Sequence, residues 1–341
     1  MSKTTKTTKN SKVNKYICVL DLGKDSIKAL GFDSTEKPSD VASLKRISFK
    51  TKSYDLNKGY TEVQGNSFKV EYGDVKMIVG EQGVDRSFDT SKTSLLHQLC
   101  AYAAISRYLE PGTTGNEIYI VLACPVTVLK SESAKKKYKE LIKGDGPINV
   151  NINGEPFEFT IKDVLLKAES SGILYTATDE FRNRKVVVID FGGLNMTVTV
   201  FDNGVCSDPD RDRFAEEFGS VELINKVSSH LTEYCDGNII DFQLSEEALK
   251  RGHLLEYGKE DEKSIEYITR AKEEFLNDAI KELTRHNIRL KNFDKAIFIG
   301  GTSNYLKTQI TKIPNGSVTA APQWSSVEGL LKIAMKKYKD I

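Results

Sequence analysis

One unit occurs twice in this chain and constrains its fold more than any other feature. An apolar run, Tyr16–Asp21 (YICVLD), ends in an acid; Gly23 follows, and then a second apolar run, Ile27–Phe32 (IKALGF). The pattern returns about 170 residues later as Lys185–Asp190 (KVVVID), Gly192-Gly193 and Asn195–Phe201 (NMTVTVF). Each copy predicts a hairpin, because short apolar runs bounded by turn residues suit buried strands. Self-similarity of this kind is most economically a duplicated domain. At 341 residues the chain is long enough for two domains with separate cores.

The remaining segments fit around the two copies. Residues 34–80 are polar and irregular apart from short runs at Ser67–Tyr72 and Val75–Gly80, which reads as a small inserted subdomain. Apolar residues at 95, 96, 99, 102, 105 and 109 have helical spacing and stop at Pro111-Gly112. Glu117–Ala123 predicts a strand, Ser131–Lys143 a charged helix, and Asn153-Gly154 the turn of another hairpin. Ile161–Leu166 reads as a further short strand, and Ser171–Ala177 as the opening of a helix. Residues 212–290 look largely helical, Lys295–Gly300 is a late buried strand, and Val327–Tyr338 is an amphipathic helix. Alternating strands and helices place the chain in the α/β class. The expected divisions are a tail (1–15), a first domain (16–183), a second domain (184–322) and a C-terminal helix (323–341) returning to the first domain.

Composition excludes several classes. Hydrophobic residues make up 39% and charged residues 28%, the ordinary range for globular chains. No run of about twenty apolar residues predicts a membrane span, and the N-terminus has no secretory apolar core. Cysteines 18, 100, 124, 206 and 235 never fall in C-x-x-C spacing, and histidines 97, 230, 253 and 286 are dispersed, so neither a disulfide framework nor a zinc site is expected. A reducing cytoplasm fits this pattern. The net charge of +1 hides five lysines in residues 1–15; without them 44 basic residues face 48 acidic ones, or −4. Lacking apolar residues to bury, the tail is expected to be disordered and to solubilise, with direct DNA contact as the sharper alternative.

Four constellations carry chemistry. In Asp21-Leu22-Gly23-Lys24-Asp25-Ser26-Ile27-Lys28, the strand aims Asp21 at a sheet end and the turn offers successive N–H groups to phosphate oxygens. A carboxylate beside them suits Mg²⁺, which keeps most of its waters. D-x-G is also an ordinary turn signal, so one copy alone says little. Asp190-Phe191-Gly192-Gly193-Leu194-Asn195 repeats the parts, and the pair could grip a polyphosphate from two sides. In Ala168-Glu169-Ser170-Ser171-Gly172, Glu169 either complements the dipole of the next helix, capped by Ser170 or Ser171, or orients a water at a terminal phosphate. In Ile299-Gly300-Gly301-Thr302, glycines let the backbone lie against a ligand such as adenosine. Neither a P-loop nor a G-x-G-x-x-G fingerprint is present.

In this order the motifs resemble the actin, heat-shock chaperone and sugar kinase superfamily, and within it the ParM-type bacterial actin-like proteins that segregate plasmids. DLGKDSIKAL is similar to their first phosphate motif, VIDFGGLNMTV to their second, KAESSGILY to the segment with the catalytic glutamate, and IFIGGTSNYL to the adenosine motif. VGEQG at Val79–Gly83 and LLH at Leu95–His97 add to the likeness. It implies an actin-like fold, with two RNase H-like domains flanking a nucleotide cleft and small inserted subdomains.

Carried over by motif position, Asp21 and Asp190 would hold Mg²⁺ through water, and Glu169 would position the attacking water. Gly23, Lys24, Asp25, Ser26 and Lys28, with Gly192, Gly193, Leu194 and Asn195, would line the phosphates of ATP or ADP, or of GTP. Gly300, Gly301 and Thr302 would back the adenosine, and Lys250 near Glu246 stands for a poorly matched adenine-side helix. Lys24 and Leu194 depart from the family's small polar residues. The implied activity is an ATPase whose head-to-tail filaments move plasmid DNA through an adaptor on centromere-like DNA, without a membrane. The alternatives are a non-polymerising ATPase or small-molecule kinase of the same superfamily, or an actin-like filament with another cytoskeletal role.

Overall fold

The computed structural model describes residues 13–36, 38, 41–87 and 92–341, so the expectations for residues 1–12 of the tail lie outside it. The first apolar run becomes β1 (Lys15–Leu22) and the second β2 (Ser26–Asp33). There follow β3 (Arg46–Lys50), β4 (Ser53–Asp55), β5 (Ser67–Tyr72), β6 (Val75–Gly80), β7 (Asn116–Cys124), β8 (Ile148–Ile152) and β9 (Glu155–Ala168). They form one sheet in the order β3-β2-β1-β7-β9-β8-β5-β6-β4, with β1 antiparallel to β2 and parallel to β7. Segment 34–80 therefore supplies β3 to one edge and β4, β5 and β6 to the other. The hairpin expected at Asn153-Gly154 joins β8 to β9, but the separate strand expected at Ile161–Leu166 is part of β9 itself. A register shift opposite Ile118/Tyr119 lets that long strand stay paired with β7.

Buried on both faces, β1 needs cover on both, and its alternating side chains divide accordingly. Cys18, Leu20 and Leu22 join the core under α1 (Leu95–Ser106), whereas Ile17 and Val19 join a second cluster. Short α2 (Val126–Leu129) and charged α3 (Glu132–Lys143) follow β7. The helix expected at Ser171–Ala177 is a single turn, α4 (Ile173–Thr176), followed by α5 (Thr178–Phe181).

The second copy builds a smaller sheet in the same way. β10 (Lys185–Phe191) is antiparallel to β11 (Met196–Asp202), which pairs with β12 (Arg213–Glu216). The stretch expected to be largely helical holds α6 (Ser220–Tyr234), α7 (Phe242–Arg251) and α8 (Ser264–Arg285). It is interrupted by the hairpin β13 (Leu254–Glu256) and β14 (Lys259–Asp261). β15 (Lys295–Ile299) lies parallel to β10, and after α9 (Lys307–Ile310) β16 (Gly316–Val318) completes the order β12-β11-β10-β15-β16. After Gly300 comes one 3₁₀ turn, Gly301–Asn304.

The chain ends on the first sheet. α10 (Ser325–Lys337) places Val327, Leu330, Leu331 and Ala334 against Ile17, Val19 and Val121, closing the second face of β1. It crosses the α4 turn at two glycines: a Cβ on Gly329 would lie 1.8 Å from the Gly172 carbonyl oxygen. All five cysteines are free, and no described helix is long and apolar enough to cross a membrane.

Candidate nucleotide site

Both repeated hairpins deliver their acids to one cavity. Asp21 is opposite Lys28 across the first hairpin and Asp190 opposite Thr197 across the second. The cavity between the sheets is lined by Asp21, Gly23, Lys24, Asp25, Ser26 and Lys28 from the first loop, and by Asp190, Gly192, Gly193, Leu194 and Asn195 from the second. Gly300 and Gly301 form a third wall, and Glu169 also lines the cavity. The loops touch each other, since a Cβ on Gly193 would stand 2.2 Å from Cβ of Asp25. Gly300 has φ +88 and runs against Phe191 O and Asp190 Oδ1, a backbone that side-chain-bearing residues rarely adopt.

Two expected contacts lie elsewhere. Thr302 is buried behind the second loop, where its hydroxyl donates to Gly192 O at 3.0 Å and braces the turn. Lys250 sits half-exposed on α7, paired with Glu246 at 3.1 Å, and does not line the cavity. Nor do Ser170 and Ser171 cap a helix: their hydroxyls donate backwards, to Glu169 O and Ala168 O. Glu169 stands in the bend between β9 and α4, its own N–H held by Cys124 O at 3.1 Å.

The charges interlock. Lys28 lies 3.3 Å from Asp21, and Lys92 bridges Asp21, at 3.6 Å, and Glu169. Burial works to raise Asp21, but Lys28 and Lys92 outweigh it and hold the carboxyl below its ordinary range. Burial pushes Asp190 up to about 7; Lys28 and Lys92 pull it down, whereas Asp21 and Glu169 add to the push. At the mouth, Lys50 on β3 reaches Asp25 at 2.9 Å and, on the other side of the cleft, Glu246 at 3.5 Å, while Arg86 lies 3.3 Å from Asp25. Lys92, Lys50 and Arg86 are not marked in the sequence, because none belongs to a phosphate or adenosine motif and each meets its acid only across the fold. The sequence reading also missed Glu216 and Glu217, brought to the cavity by the short strand β12.

The donor set fits Mg²⁺ with a polyphosphate. Two carboxylates from facing strands are hard oxygen ligands of the kind Mg²⁺ takes through water. Asn195 Oδ1 is buried without a protein hydrogen bond, and a metal-held water would satisfy it.

The profile for the actin-like proteins' N-terminal domain matches residues 20–172. Among solved structures, the Alp12 filament structure is 41% identical, covering 96% of this chain and 100% of that one, with a TM-score of 0.69. The chain belongs to the actin-like protein family. Ta0583, an archaeal actin homolog, matches this actin-like protein at 19% identity and a TM-score of 0.74, over 94% of this chain and 99% of its own. A 15-stranded ParM filament from Clostridium botulinum matches at 15% and 0.69, over 95% and 100%. These two show the shared fold. No curated protein sequence matches the chain.

Asp190 gives a pH signature. An acid whose folded pKa exceeds its unfolded value, about 3.9, adds stability only while protonated; the contribution is full below that value and is lost as pH rises through the folded one. Free of nucleotide and Mg²⁺, the wild type should lose melting temperature relative to Asp190→Asn as pH rises from about 4 to about 7. Parallel melting curves across that range would remove the assignment.

Proposed function

We propose that this actin-like protein is an ATPase that assembles head to tail with ATP and Mg²⁺ bound and comes apart after hydrolysis. The observation that carries the reading is the convergence of both Asp-Gly loops and Glu169 on one cavity. The loops' N–H groups and Lys28 would take the phosphate oxygens, and Gly300-Gly301 the nucleoside side. Asp21 and Asp190 would hold Mg²⁺, which when bound neutralises charge on the phosphates. Glu169 accepts a hydrogen bond from the attacking water. The water oxygen bonds to the γ-phosphorus, the bond to the bridging oxygen breaks with its electron pair going to ADP, and the water's proton leaves by way of Glu169. ADP and inorganic phosphate are the products.

Assembly is the second half of the proposal. The 41%-identical relative is a filament, and a contact between two different faces of identical subunits that does not close on itself grows without limit. Movement of plasmid DNA, through an adaptor bound to centromere-like sites, is the task we assign to the filament in the cytoplasm. It rests on the likeness to ParM. Light scattering of the purified protein should rise on adding ATP with Mg²⁺ and decay as phosphate is released. A flat trace at tens of micromolar protein would sink the filament reading, and GTP run in parallel sets the base preference.

A further inference from the structure

Lys92 is a lysine where the fold has little reason to keep one. It lies three residues before α1, has a left-handed backbone (φ 55), and its side chain is 5% exposed. Burying an ammonium group is costly unless it is paired. Here the partners come from two different elements: Glu169 from the end of β9 and Asp21, at 3.6 Å, from β1. Asp21 already has Lys28 at 3.3 Å, so its charge does not require Lys92. The Glu169 backbone is fixed by Cys124, but a glutamate has three side-chain torsions, and it is Lys92 that bonds Oε1. Pinning one carboxylate oxygen sets the direction of the other.

Building on the ATPase reading, we propose that Lys92 is a positioning residue for hydrolysis, holding the Glu169 carboxylate in the orientation from which it accepts the water's hydrogen bond. It acts chiefly through Glu169; its longer contact to Asp21 is shared with Lys28, so nucleotide affinity depends on it far less than turnover does. A loss of alignment of about 1 Å costs on the order of 10²-fold in rate.

The test compares full-length wild type with Lys92→Met, Lys92→Arg, Glu169→Gln and the Lys92→Met/Glu169→Gln double variant. Turnover is read by phosphate release, binding by a fluorescent ATP analogue, and folding by thermal melts. Lys92→Met should lower kcat by about 10²-fold with a much smaller change in nucleotide Kd, and Lys92→Arg should recover most of the loss. In the Glu169→Gln background, Lys92→Met should change kcat by less than about twofold, because residues acting as a unit are not additive. Unchanged kcat, a loss carried by Kd, or losses that multiply in the double variant would each overturn the proposal. Should Lys92→Met not fold, Lys92→Gln takes its place; neutral but able to donate to Glu169, it should keep more activity than the Glu169→Gln enzyme, and equal activity would count against the proposal. Absence of turnover in the wild type would sink the ATPase reading itself, an outcome distinct from a wild type that turns over beside an equally active Lys92→Met.

Discussion

Replacing Glu169 by alanine should slow phosphate release by on the order of 10²–10⁴-fold while ATP-driven assembly persists. The expectation follows from where the side chain stands. Glu169 lines the same cavity as both Asp-Gly loops, and the serines beside it cap no helix whose dipole it would complement. Removing an acceptor for the attacking water affects a step after binding, so nucleotide affinity should hold. Filaments that assemble with ATP would then outlast those of the wild type. Single-turnover phosphate release beside light scattering checks both halves; wild-type turnover in Glu169→Ala would return the residue to a structural role.

The second large effect concerns stability. Gly329→Ala should destabilise the fold by about 3 kcal/mol, a fall in Tm of roughly 4 °C for a chain of this length. Alanine is normally the better residue inside a helix, by about 1 kcal/mol over glycine. At this position its Cβ would fall 1.8 Å from the Gly172 carbonyl oxygen, and Gly172 is itself backed onto Ser326 O. Neither partner is a flexible side-chain end, so α10 would have to lift from the α4 turn. An alanine variant as stable as wild type would show that the crossing is looser than this.

Much of this architecture was legible in the sequence because it rests on local patterns. The strands around Asp21 and Asp190 are short apolar runs closed by glycine turns, and each became a hairpin with its acid at the sheet end. Gly300-Gly301 followed a strand and reached the same cavity. What sequence could not give were contacts made across the fold. The family resemblance implies Thr302 beside the adenosine, yet its hydroxyl turns inward to Gly192. Lys92 and Lys50 acquire their roles only when β1, β3, β9 and α7 come together, and no spacing in the chain announces that. The serines after Glu169 carried the right chemistry for a cap, but the helix there is only one turn and begins too late to use them.

The return of α10 to the first sheet has a bearing on how the molecule is made. Ile17 and Val19 leave the ribosome long before the residues that cover them, Val327 to Tyr338, which follow the entire second sheet. The N-terminal half must therefore wait with one face of its central strand open, a surface of the kind that invites aggregation or a holding chaperone. The cover for that face of the first sheet is thus made only after the strands of the second sheet have been synthesised.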